Sequence, residues 1–370
     1  MDIIELLRIA KTKDASDLHL VVSSPPLLRI HGSLTPLSEM PVITAESMEE
    51  GIFRILVEKE KSDFLKNLEL DFGRSVEGVG RLRFNAAKQR GTISIVVRLL
   101  SNYIPDMEAL GLPKVCKDLI MRPRGLIIVS GPTGSGKSTT LAAMIDYLNQ
   151  VEKRSVVTIE DPIEYTYTSN SSVITQRELG HDTHSFAEAL RHVLRQDPDV
   201  ILVGEMRDME TASSVLTVAE TGHLVLTTGH APSTSQAVER VINMFPPHER
   251  YLAQARMASL LLGILCQALI PRADGMGRVA AIEVMLANSA VRNLIREGKS
   301  FQLPNTIRMN TQNGMELLDQ ALVRLYRAGV INHDKVLDFC NDREEVSRLT
   351  GERDAKQPNS LEAMLSTQFN

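Results

Sequence analysis

Cysteine is scarce in this sequence: Cys116, Cys266 and Cys340 are the three among 370 residues. They lie far apart and form no C-x-x-C pair, so neither a zinc site nor a disulfide framework is expected. That usage fits a reducing cytoplasm. An excess of positive charge is missing too. The formal net charge is −5, which leaves no global basic field to draw the chain to nucleic acid or anionic lipid. Residues Met1 to Arg8 mix acids with apolar residues and lack the layout of a signal peptide. Long hydrophobic runs are lacking as well. The strongest, near Met257 to Ile270, is too short and, with Ser259 and Gln267, too polar to span a bilayer. It reads as a buried helix. No internal repeat is visible. The remaining composition, 43% hydrophobic and 24% charged, is that of a globular chain long enough for two or three domains.

What is present is organised around Gly131-Pro132-Thr133-Gly134-Ser135-Gly136-Lys137-Ser138, which fits G-x-x-x-x-G-K-[ST] at every fixed position. The apolar run Leu126 to Ser130 before it reads as a buried parallel strand. After it, Thr139 to Asn149 carries Leu141, Met144, Ile145 and Leu148 at helical spacing. Strand, glycine loop and helix form a phosphate cradle. The glycines let backbone N–H groups face phosphate oxygens, and the helix N-terminus adds roughly half a positive charge. Gly131 through Thr139 are the expected nucleotide-binding residues. Lys137 is expected to reach the β- and γ-phosphates of ATP, and the Ser138 hydroxyl to hold Mg²⁺.

Around this centre the chain reads as α/β. Residues 2–12 and 44–66 are helical in pattern, with Thr44 as an N-cap. Ala15 to Leu20 and Leu27 to Ile30 read as strands, with a turn at Gly32. From Leu68 to Arg98 the period is two: Leu82, Phe84 and Ala86 alternate with Arg81, Arg83 and Asn85, and Ile93, Ile95 and Val97 form a second set after Gly91. Residues 1–98 are therefore expected as a small α/β domain on an antiparallel sheet, 99–113 as a linker, and 114–345 as a nucleotide domain. Its further strands are expected at Val156–Ile159, Val200–Gly204 and Leu224–Thr228, in a mainly parallel sheet. Residues 233–268, 287–297 and Met315–Ala328 read as helical, and 346–370 as a disordered tail.

Three further stretches carry candidate chemistry. Glu160, Asp161 and Glu164 crowd the end of the next strand, a place for a metal neighbour and a water-activating base. Asp199 to Glu205 is an apolar strand ending in an acid, the arrangement in which Glu205 meets Mg²⁺ directly or through water. His223 and His230 bracket the strand Leu224–Thr228 and are candidates for sensing the γ-phosphate or for coupling.

Together these stretches resemble the motor ATPases of type II/IV secretion and type IV pili, over residues 15 to 340. Residues 131–138 resemble the family's Walker A, 158–165 its Asp box, 199–205 its Walker B and 220–230 its His box. Ala15 to Leu20 resembles the opening of its PAS-like N-terminal domain. The resemblance implies a RecA-like core with C-terminal helices. It also implies Glu164 as general base, Glu205 near the metal, and Arg83 and Arg98 as the sheet arginines that reach the nucleotide. Lacking the extra N-terminal domain and the tetracysteine insert, the sequence is most similar to the retraction motors of twitching motility. Residues 290–298 and 314–320 resemble stretches of those motors. One departure is Gly229-His230-Ala231-Pro232, where the family usually has Leu-His-Thr. The implied assembly is a homo-hexameric ring in the cytoplasm at the inner-membrane base of the pilus machine. Its implied partners are an inner-membrane platform protein and a paralogous retraction ATPase, with no nucleic acid and no insertion into the membrane. Two other readings stay open: a motor for pilus extension or type II secretion, and a nucleotide-binding scaffold without turnover.

Overall fold

The computed structural model describes residues 1–30, 32–100 and 103–351. They form two compact units. The first comprises Met1–Ile104 together with Glu160–Thr168 and Gln176–Asp182; the second holds Pro105–Ile159, Ser169–Thr175 and the chain from Thr183 onward.

In the first unit, period-two patterning becomes an antiparallel sheet. Its strands are β1 (Asp17–Val21), β2 (Leu27–Ile30), β3 (Ser33–Pro36), β4 (Glu69–Val76), β5 (Gly80–Gln89) and β6 (Thr92–Leu99), in the order β3-β2-β1-β6-β5-β4. Leu82, Phe84 and Ala86 of β5 and Ile93, Ile95 and Val97 of β6 are buried with Leu18 and Leu20 of β1. The helix Ile3–Thr12 joins this core through Ile3, Leu6, Leu7 and Ala10, and Asp2 caps it by accepting from the N–H groups of Ile4 and Glu5. The stretch that reads as one helix over 44–66 is two, Ala45–Ile55 and Glu58–Asn67. Leu56 and Val57 between them are extended. The break is set by Glu60, whose carboxylate turns back to accept the Val57 N–H at 2.9 Å and so starts a new helix.

The other sheet holds β7 (Gly125–Ser130), β8 (Ser155–Glu160), β9 (Val173–Glu178), β10 (Val200–Val203), β11 (Leu224–Thr228), β12 (Leu261–Pro271) and β13 (Arg278–Leu286); all of it belongs to the second unit except Glu160 and Gln176–Glu178. Their order is β13-β12-β7-β11-β10-β8-β9. The run β12, β7, β11, β10, β8 is parallel, and β13 pairs antiparallel with β12. Every residue of β7, β10 and β11 is buried, as a sheet covered on both faces requires.

Two sequence expectations are corrected here. Residues 233–268 are not one helical stretch. They form the helices Thr234–Asn243 and Arg250–Leu260 and then enter β12, so most of the Met257–Ile270 run is a strand. A strand buried on both faces shows no alternation, and periodicity alone does not separate it from a buried helix. The tail is the second. Residues Arg343–Thr350 are a helix whose Val346 packs into the cluster around Leu322 and Ile331. The remaining tail, 352–370, and residues 101–102 of the expected linker lie outside the described residues. Among the described residues no helix is long and apolar enough to cross a membrane.

Candidate active site

The parallel strands end at one edge of their sheet, and the phosphate loop leaves from β7 there. Gly131 has φ +141°, and a Cβ on it would collide with the Gln267 carbonyl oxygen and stand 2.8 Å from Ser135 Oγ. The loop therefore passes against β12 at a point only glycine allows. Gly134 and Gly136 are also left-handed, at φ +77° and +87°, and Gly136 hands the chain to the helix Lys137–Val151. Lys137 is buried and its ammonium donates to the carbonyls of Gly131 and Pro132, at 2.8 and 3.0 Å. Ser138 and Thr139 follow in the first turn, at the positive end of the helix. Gln267 fastens the loop from β12: its amide Nε2 donates to the Ser135 carbonyl and its Oε1 accepts from Thr140 Oγ1 at 2.9 Å. Ser135 Oγ is buried and, among the described residues, has no hydrogen-bond partner. An orphaned hydroxyl, a buried ammonium and a helix N-terminus facing one cradle fit a phosphate chain.

Beside the loop, the segments after β10 and β11 are tied together. Thr228 Oγ1 donates to the Gly204 carbonyl at 2.5 Å. Ser130 Oγ donates to the Ala231 carbonyl at 2.8 Å and accepts its N–H at 2.9 Å. A Cβ at Gly229 would sit 3.1 Å from Ser130 Oγ, and Ala231 is 4% exposed. The small neighbours of His230 thus match the close approach of Ser130. His230 Nε2 lies 3.1 Å from Glu205 Oε2, and Arg207 pairs with the other oxygen of the same carboxylate. Burial disfavours the Glu205 carboxylate, but Arg207 and His230 outweigh it and hold the group below its usual range.

His223 is not part of this group. It precedes β11, its Nδ1 lies 3.0 Å from Thr221 Oγ1 and 3.1 Å from the Val218 carbonyl, and its own carbonyl accepts the Gly125 N–H at the start of β7. It therefore occupies the opposite edge of the sheet. The whole five-residue strand β11, at about 3.3 Å a residue, stands between it and His230. Of the two histidines expected to sense the γ-phosphate or to couple, strand direction puts only His230 at the edge of the phosphate loop.

In the first unit, Arg83 and Arg98 face each other directly across β5 and β6, on the side away from the buried Leu82, Phe84 and Val97. The rung continues to Asp17 on β1 and Arg29 on β2. Asp17 Oδ1 accepts from Arg98 Nε at 3.0 Å, and Oδ2 is 3.8 Å from Arg29 Nε. Burial opposes ionisation of Asp17, but the Ser16 hydroxyl and Arg98 hold its carboxyl below the usual range. Glu164 stands four residues beyond β8 on the segment Glu160–Thr168.

Sequence reasoning misses Gln267 as a loop fastener, since it meets that residue only as a polar interruption of an apolar run. It also misses Asp17 as the anchor of Arg98. A partial signal exists for Gln267: an amide in a run of buried residues requires partners.

Residues 79–292 match the family described as type II/IV secretion system protein. The chain is similar to the type IV pilus retraction ATPase PilT of Pseudomonas aeruginosa, with 43% identity over 90% of this chain and 96% of that one. It is 39% identical to the type IV pilus ATPase PilU of the same organism, over 100% of this chain and 97% of the other. The solved structure of the pilus retraction motor PilT with bound ADP superposes with a TM-score of 0.88 at 41% identity, covering 94% of this chain and 99% of that one.

Proposed function

The chain belongs to the type II/IV secretion system protein family, and from that premise we propose that it is a cytoplasmic motor that hydrolyses ATP to retract a type IV pilus. The observation that carries the reading is the phosphate cradle itself. Lys137, Ser135 and the helix N-terminus converge on it, and Glu205 and His230 stand at the same sheet edge. Likeness to PilT along nearly the whole chain selects retraction among the motors of the family.

In the proposed cycle, Lys137 exchanges its two carbonyl partners for phosphate oxygens. Ser138 and Glu205 would hold Mg²⁺, Glu205 directly or through water, and the ion would supply positive charge beside the phosphates. Glu164 takes a proton from the attacking water. His230 holds the Glu205 carboxylate in place, and Arg83 and Arg98 offset charge that develops on the transferred phosphoryl group. The protein works as a homo-hexameric ring at the inner-membrane base of the pilus. It acts against a platform protein there, and a PilU-like paralogue is a second partner. Phosphate release by the purified chain, with retraction scored in a deletion strain, tests the reading. Expected are steady turnover, and loss of retraction with piliation retained. Loss of piliation would mark an extension motor instead, and absence of turnover a scaffold.

A further inference from the structure

The first unit contains a buried ion pair that the mechanism above does not use. Arg81 of β5 pairs with Glu178 at the end of β9, and their side chains are 14% and 5% exposed. Taking such a pair out of water is costly, and hydrophobic residues of similar volume often serve stability as well. Its partners point to another task. Glu178 Oε2 accepts the Ile163 N–H at 3.0 Å, and Arg81 Nε reaches the Ile163 carbonyl at 3.4 Å. One ion pair thus grips both backbone groups of the residue before Glu164.

The residue after Glu164 is fastened as well. Gln176 Nε2 donates to the Tyr165 carbonyl at 2.8 Å, and its Oε1 accepts the Tyr167 N–H at 2.9 Å. Among the described residues no hydrogen bond or ion pair engages the carboxylate of Glu164 itself. The backbone is pinned on both sides while the side chain is left available. Gly73 shows what the arrangement requires of its neighbours. Its backbone is not left-handed, so conformation does not call for glycine there. A Cβ at that position would collide with the Arg81 guanidinium and come within 2.9 Å of Glu178 Oε1.

We propose that Arg81 and Glu178 are positioning residues that hold Glu164 in place for proton abstraction, with Gly73 providing the room for them. The inference rests on the reading of Glu164 as the general base. A base must stand within hydrogen-bond reach of its proton, and a misplacement of about 1 Å can cost roughly 10²-fold in rate.

The test is a double-mutant cycle in phosphate release by the full-length protein. Glu178→Gln keeps the shape and one acceptor but removes the charge. It is expected to lower kcat about tenfold and to leave the KM for ATP unchanged. Gly73→Ala, which displaces the pair without altering either member, is expected to do the same, and it serves if Glu178→Gln fails to fold. In a Glu164→Gln background neither change is expected to lower the residual rate further, because there is no base left to position. An equal fall in both backgrounds, or wild-type kcat in both single variants, overturns this inference alone. Normal turnover by Glu164→Gln overturns the assignment of the base, and this inference with it.

Discussion

In the antiparallel sheet of the first unit the charged groups of interest lie within the strands. In the seven-stranded sheet Glu205 and His230 stand just beyond strand ends. Arg29, Asp17, Arg98 and Arg83 share one rung because one face of an antiparallel sheet is free of the core. The parallel strands have no free face, so Gly131, Glu205 and His230 belong to the loops that leave them. The lesson concerns what each sheet can do. A loop edge can wrap a phosphate chain with backbone groups, whereas a strand face presents fixed side chains at a set spacing.

The sharpest test of this contrast is Lys137→Ala. It removes the buried ammonium of the cradle, and turnover is expected to fall to background in a phosphate-release assay. On the strand face, Arg98→Ala and Arg83→Ala are expected to fold, assemble and bind ATP, yet to lose roughly 10³-fold in turnover, the lower range for an arginine that stabilises phosphoryl transfer. Turnover within about twofold of wild type in both would make the rung a solvated surface, and the contrast would lose its functional half. Mixing Arg98→Ala with Lys137→Ala subunits sharpens it further. Recovered activity means that the arginine serves a neighbour's cradle.

A smaller effect is expected at the wall of the loop. Gln267→Leu leaves the Thr140 hydroxyl and the Ser135 carbonyl without their partner. A loss of about 1–3 kcal/mol in denaturant unfolding is expected, with a raised KM for ATP. The smallest effect is in pH. Glu205 has its carboxyl held below its ordinary value near 4.5, so its ionisation stabilises the folded protein above that value. The contribution is lost as pH falls through the depressed value. Melting curves of wild type and Glu205→Gln are therefore expected to differ at neutral pH and to converge in acid; a constant gap would deny the coupling to Arg207 and His230.

The same contrast explains what is legible in the sequence. Alternation alone exposes the two faces of β5 and β6 and puts Arg83 and Arg98 on the outer one. The phosphate loop announces itself because its glycines and Lys137 answer to local geometry. The strand β12 reads as helix because burial on both faces erases the alternation, and β9 and β13 pass unseen. The helix break at Val57 escapes because it depends on where Glu60 turns. Gln267, Asp17, Arg81 and Glu178 are out of reach for a different reason. Each acts on a backbone or side chain far away in sequence, and no local pattern records such a partner.

The rung of charges has one more consequence. Two cations directly opposite each other repel, and Asp17 relieves that on the Arg98 side. Arg98 is thereby tethered, while among the described residues no ion pair holds Arg83. Their flexible side chains each carry about 2 kcal/mol of rotamer entropy. The tethered arginine has already given up part of its freedom in the folded protein, whereas the untethered one surrenders it only on meeting a phosphate. Under the proposed role of the two arginines in phosphoryl transfer, the contribution of Arg83 is therefore expected to fall more steeply with temperature than that of Arg98.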